Sequence, residues 1–172
     1  RLKHYKNIDV LINAFSKVLV KKPTAKLTIA GFGEDYPKLK KLARDLGVSK
    51  SVDFVGKISE EEKARLFAKS WVAVQPSSIE GWGITVIEAN AYGTPVIASD
   101  VNGLRDSVLD GKTGILVTPK DENMFAKVMS ELISDTSYLK NLSLEAKIWS
   151  EKFSWTNASL SFAKTIDEKL NI

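Results

Sequence analysis

The sequence predicts an α/β fold, a doubly wound parallel sheet covered by helices on both faces, on three observations. Short and almost wholly apolar segments recur along the chain. Each is followed by a longer segment with apolar residues at helical spacing. Strands that are apolar throughout belong to parallel sheets buried on both faces. The size and balance, 172 residues of which 44% are hydrophobic and 27% charged, suit one soluble globular domain.

The elements follow in order. Ile8, Leu11, Ile12, Phe15, Val18 and Leu19 fall on one helical face, and Pro23 closes that helix. Lys26–Ala30 is the first predicted strand and ends in Gly31-Phe32-Gly33. The next helix runs through Leu39, Leu42, Ala43 and Leu46, with Pro37 near its start and Gly47 as its stop. Val52–Val55 is the second strand, closed by Gly56. Ser59 and Glu62 form a capping box ahead of Leu66 and Phe67. A strand over Trp71–Gln75, a polar loop and an apolar helix from Ile84 to Tyr92 come next. Pro95–Ala98 is a strand, Gly103–Leu109 a short helix and Gly114–Val117 a last strand. From Asp121 the tail is helical, with Trp149, Phe153 and Trp155 as large apolar anchors and a terminal helix over 156–172. The prediction is one Rossmann-like domain over 1–172, without repeats or low-complexity tracts. It opens at Arg1 without an initiator methionine and reads as a fragment of a longer protein.

Composition narrows the function classes. Without cysteine there are no disulfides or thiolate metal sites, and with His4 as the sole histidine an ordinary zinc site is not expected. The cysteine usage points to a reducing, cytoplasmic compartment. No apolar run approaches a membrane span, and no signal peptide opens the chain. The net charge of +4 suits an anionic ligand or an anionic membrane surface. Lys38, Lys40 and Lys41 read as a solvated helix face, so nucleic acid is not an expected partner.

Doubly wound sheets bind ligands at the carboxyl ends of their strands, which directs attention to loops 31–35, 56–60, 76–83 and 99–103. In the segment Gln75–Gly93 a strand ends, Pro76, Ser77 and Ser78 turn the chain, and Glu80-Gly81-Trp82-Gly83 leads into a helix. Two glycines allow close backbone approach, and the helix start offers unpaired N–H groups and a favourable dipole, a place for a phosphate. Glu88 lies one turn inside that helix on the face of Ile84, and its side chain tilts back toward the N-terminus. A carboxylate repels phosphate, so its natural partners are hydroxyl donors such as those of a ribose. The bland alternatives are a surface position for Glu80 and, for Glu88, a lysine or backbone N–H partner. Gly31-Phe32-Gly33 lacks the third glycine of a dinucleotide fingerprint and reads as a tight turn.

Residues PSSIEGWGITVIEANAYGTPVIAS resemble the Glu-x7-Glu signature of family 4 retaining glycosyltransferases, which have the GT-B fold. RLKHYKNIDVLINAF, KLTIAGFGED, VDFVGKIS, GKTGILVTP and FSW match that family's C-terminal, donor-binding domain in order. The resemblance implies that Arg1 and Lys6 hold the donor diphosphate, Glu88 the ribose hydroxyls and Glu80, the catalytic residue, the transferred sugar. It brings the backbone of Gly81, Trp82, Gly83, Ile84 and Thr85 to sugar and phosphate and the loop at Lys57–Ile58 to the nucleobase. Lys63 would add a phosphate or base contact. Two cations then offset the diphosphate, so neither a metal nor another cofactor is expected, in keeping with the lack of an Asp-x-Asp pair.

Three places depart from the family pattern: Trp82 stands where phenylalanine is common, Asn90 where methionine is common, and Asn102-Gly103-Leu104-Arg105-Asp106 replaces Gly-Gly-x-Pro-Glu. The expected activity is retaining transfer of a hexosyl group from a nucleotide diphosphate sugar to a sugar or lipid-linked acceptor. It requires an N-terminal acceptor domain absent here, through which a peripheral contact with the inner face of the membrane could arise; the fragment alone is expected to be inactive. The alternative is a non-enzymatic Rossmann-like module for nucleotide binding or assembly. A nicotinamide dehydrogenase is disfavoured by the glycine pattern.

Overall fold

The computed structural model describes residues 1–170. Asn171 and Ile172, the end of the predicted terminal helix, lie outside the described residues, as do the side chains of Trp155 and Leu170. Along the chain come a 3-10 turn His4–Lys6, α1 (Ile8–Lys21), β1 (Leu27–Ala30), α2 (Tyr36–Asp45), β2 (Val52–Gly56), α3 (Glu60–Lys69) and β3 (Ala73–Gln75). Then follow α4 (Ile84–Ala91), β4 (Val96–Ser99), α5 (Asn102–Ser107), β5 (Gly114–Val117), α6 (Glu122–Ser134), α7 (Thr136–Ser150), a 3-10 turn Glu151–Phe153 and α8 (Trp155–Leu170).

All strand pairings are parallel, as the apolar runs predict, but the sheet is in two pieces, β1–β2 and β3–β4–β5. β1 and β3 do not pair with each other. The two pieces nevertheless share one core, since Ile29 and Val52 from the first cluster with Ile97 and Val117 from the second, against Val18 of α1 and Phe125 of α6. A second cluster, Val86, Ala89, Val96, Ala98, Leu104 and Val108, lies under α4 and α5. Burying each such valine or leucine contributes about 1.5–3 kcal/mol, so the two helices that flank the candidate site are firmly seated.

Boundaries shift for local reasons. Trp71 is exposed at 57% and precedes β3, so the predicted strand loses its first two residues. Pro95 has no N–H for a ladder, and β4 begins after it. Gly56, predicted as a stop, is the last residue of β2 and pairs with Ala30 across a register shift. The short helix predicted over Gly103–Leu109 starts one residue earlier and ends at Ser107. The capping box is as predicted, with the Ser59 hydroxyl accepting from the Glu62 N–H and the Glu62 carboxylate accepting from the Ser59 N–H. The helical tail resolves into α6 on α1, α7 on α4, and α8, whose described side chains are all exposed. None of the described helices is long and apolar enough to cross a membrane.

Candidate active site

The site begins with a turn. Asn7 adopts a left-handed conformation (φ 48°) between the His4–Lys6 turn and α1, a geometry that asparagine tolerates better than most residues. Its buried side-chain amide donates to the Pro76 carbonyl at 2.8 Å and to the Ser78 hydroxyl at 2.6 Å, and the Ser78 N–H donates to the Tyr5 carbonyl. These bonds tie the first residues of the chain to the loop after β3, and so carry Lys6 to Glu80.

Glu80 is the centre of that contact. The Lys6 ammonium, the Gln75 amide and the Ser77 hydroxyl all donate to the same carboxylate oxygen, Oε1. Burial pushes the Glu80 pKa up, but Lys6, Ser77 and Gln75 outweigh it, and the net position is below the ordinary glutamate value. Lys6 and Glu80 side chains are only 19% and 15% exposed, so their attraction is poorly screened. The Arg1 α-amino group feels both charges, and burial, with Lys6 next, holds its pKa below the ordinary value. The Arg1 guanidinium enters no ion pair among the described residues.

From Glu80 the loop reaches α4 through Gly81, Trp82 and Gly83. Gly83 has φ 81°, where a side chain would be strained and would collide with Leu104 and Ser107. No side chain caps α4, and the first two residues of the helix, Ile84 (66% exposed) and Thr85, face solvent. The helix therefore presents an open, electropositive N-terminus, with Val86 fixed in the core behind it. Support from below comes from Gly103. A methyl group there would stand 2.3 Å from the Glu80 carbonyl oxygen and 2.6 Å from that of Gly81, so α5 packs directly on the loop backbone. The Trp82 ring meets Phe153 edge-on, with centroids 4.8 Å apart.

Glu88 sits one turn into α4, with a side chain 34% exposed. Its Oε1 accepts from the Lys63 ammonium at 2.8 Å, and Lys63 also reaches Glu60 at 2.7 Å. Burial lowers the Lys63 pKa, but the two carboxylates outweigh that and raise it above the ordinary lysine value. Lys63 thus stands as the partner of Glu88 on α3, where the sequence offered it as a phosphate or base contact. Ile58, half-buried, lies in the loop that joins β2 to α3 and leads toward this pair.

The structure accordingly brings Lys6 to Glu80 and Lys63 to Glu88, and in sequence Gly81 to Thr85 run between the two carboxylates. Sequence reasoning missed Asn7, Gln75, Ser77 and Gly103. Asn7 and Ser77 look like any turn residues, and only their burial, at 3% and 0% exposure, marks them.

Comparison with known proteins gives the family and the fold. A family model described as glycosyl transferases group 1 matches residues 1–149. The chain belongs to that family. It is 31% identical over 166 residues to a D-inositol 3-phosphate glycosyltransferase of Corynebacterium urealyticum, covering 92% of this chain and 39% of the relative. It is 36% identical over 159 residues to the uncharacterized glycosyltransferase MJ1607 of Methanocaldococcus jannaschii, covering 91% and 40%. Among solved structures, Anabaena Alr3699/HepE in complex with UDP and glucose superposes with a TM-score of 0.88 at 26% identity, over 98% of this chain and 46% of that one. The chain spans about two-fifths of the length of these curated relatives. The fold is the Rossmann-like C-terminal half of a GT-B glycosyltransferase, as the Glu80 and Glu88 segment implied.

Proposed function

We propose that this chain binds the nucleotide diphosphate sugar donor of a retaining hexosyl transfer to a sugar or lipid-linked acceptor. The observation that carries the reading is the uncapped N-terminus of α4, with the Lys6–Glu80 pair held at the loop that leads into it and Glu88 one turn behind it. A diphosphate takes the loop N–H groups and the Arg1 and Lys6 cations, which offset its charge without calling on a metal. Ribose hydroxyls donate to Glu88, whose Oε1 is oriented by Lys63. The transferred sugar meets Glu80, whose three donors all occupy one oxygen and so fix the direction of the other. Ile58 edges the nucleobase.

Catalysis in this reading is electrostatic. The leaving diphosphate gains negative charge as the glycosidic bond breaks, and pre-oriented N–H groups and cations stabilise that charge in a closed cleft. The acceptor and the closure come from an N-terminal domain of the whole protein. The protein is cytoplasmic, and any contact with the inner face of the membrane runs through that domain. UDP and glucose bound to a solved relative of the same fold support the donor class.

The ribose assignment is tested in the intact protein with Glu88→Ala and with UDP against 2′-deoxy-UDP. Removing a carboxylate that accepts from a ribose hydroxyl weakens UDP by about 1–3 kcal/mol and has a smaller effect on the deoxy analogue. Equal UDP affinities for wild type and variant would sink the assignment.

A further inference from the structure

The glycine loop has little of its own to hold it. Glycines on both sides of Trp82 leave the backbone free to rotate, and Gly81 is exposed. Ile84 is largely exposed, and the large group that anchors the segment is Trp82, which packs on Phe153 of the C-terminal turn.

There it begins a chain of rings. Trp82 and Phe153 meet at 4.8 Å with planes at 65°, and Phe153 meets Trp149 at 5.0 Å with planes at 80°. Both are edge-to-face arrangements, which add to the stabilisation given by apolar burial alone. The Trp149 indole N–H then donates to the Ser107 carbonyl at 3.0 Å. Ser107 ends α5, and α5 is the helix whose Gly103 supports the Glu80 and Gly81 carbonyls. The loop, the C-terminal turn and α5 therefore form a closed circuit. Loosening any member frees the loop from one of its two supports.

Resting on the donor reading above, we propose that Phe153 is a positioning residue for the donor loop, acting through Trp82 to hold the Gly81–Thr85 backbone where it meets the diphosphate and sugar. Donor affinity then depends on residues 149–153, which touch no part of the donor. Phe153 is 37% exposed and lies outside both core clusters, so its truncation leaves the fold in place.

The test compares wild type, Phe153→Ala and Phe153→Tyr in the intact protein, by hydrogen exchange without ligand and by titration with UDP, ADP and GDP. In Phe153→Ala, exchange at Gly81–Thr85 accelerates about ten-fold while β1 and β4 amides keep their rates, and affinity for the bound nucleotide falls about ten-fold, equivalent to about 1.4 kcal/mol. Phe153→Tyr keeps the ring and restores both. A uniform acceleration across the core would indicate general destabilisation and overturn the proposal, as would unchanged loop exchange. Faster loop exchange with unchanged nucleotide affinity would also overturn it. If wild type binds none of the three nucleotides, the donor reading has failed, and the exchange result alone decides whether Phe153 positions the loop.

Discussion

Replacing Gly103 with alanine probes how tightly the donor loop is supported. A methyl group at this position would lie 2.3 Å from the Glu80 carbonyl oxygen and 2.6 Å from that of Gly81. Carbon-to-carbonyl contacts settle at about 3.3 Å or more, so loop and helix must separate by about 1 Å. Both obstacles are backbone atoms, which cannot swing aside as a side-chain tip can. Overpacking of this kind costs about 1–3 kcal/mol, which in a domain of this size lowers Tm by at least about 2 °C. The functional cost is of similar size, because a displacement of about 1 Å in a positioning element lowers turnover on the order of 100-fold, or about 2.7 kcal/mol. Calorimetry gives the first quantity, and donor turnover in the intact protein gives the second. A Gly103→Ala variant with wild-type Tm and wild-type turnover would refute the close packing of α5 on the loop.

Three further outcomes follow from the same geometry. Asn7→Gly keeps access to φ 48° but removes the amide that reaches Pro76 and Ser78; thermal unfolding should show a loss of about 1–3 kcal/mol for the acceptors left behind, and equal stability would discount the tie. Lys63→Met leaves Glu88 without its cation and should weaken UDP binding while Lys63→Arg retains most of it, whereas equal affinities in all three proteins would show that Lys63 does not orient Glu88. Glu80 has a folded pKa below its ordinary 4.5, so its network contributes stability that is present above pH 4.5 and is lost as pH falls through the folded value. The Tm gap between wild type and Glu80→Gln should therefore narrow on acidification below pH 4.5, and a gap that stays constant would contradict the Glu80 assignment.

What the sequence makes legible is whatever depends on local periodicity. Glu88 could be placed one turn behind the start of α4 because helical spacing alone sets that distance, and the Ser59 and Glu62 capping box because its partners are three residues apart. The contacts that make the site specific join distant positions. Lys6 reaches Glu80 across 74 residues and Asn7 reaches Pro76 across 69, and neither pair leaves a mark in composition or period. Gly103 stood in a loop noted for its other residues, and its close approach to Glu80 is a tertiary fact. Lys63 appeared as a cation on α3, and its position against Glu88 depends on how α3 lies beside α4. Strand identity followed from apolar runs, whereas the division of the sheet into two pieces depends on pairing partners, which apolar runs do not encode. Asn90 lies on the apolar helix as expected, yet both its side-chain polar atoms are buried without a partner among the described residues.

In the proposed function the open end of α4 and the carboxylate one turn behind it receive a nucleotide diphosphate. The most direct test is an amide chemical-shift titration of the intact protein with UDP, ADP and GDP at millimolar concentration. For at least one nucleotide, saturable shifts should concentrate at Gly81–Thr85 and Glu88, with Lys6 and Lys63 following. Shifts absent from these residues with all three nucleotides, or gathered on another face of the domain, would contradict it.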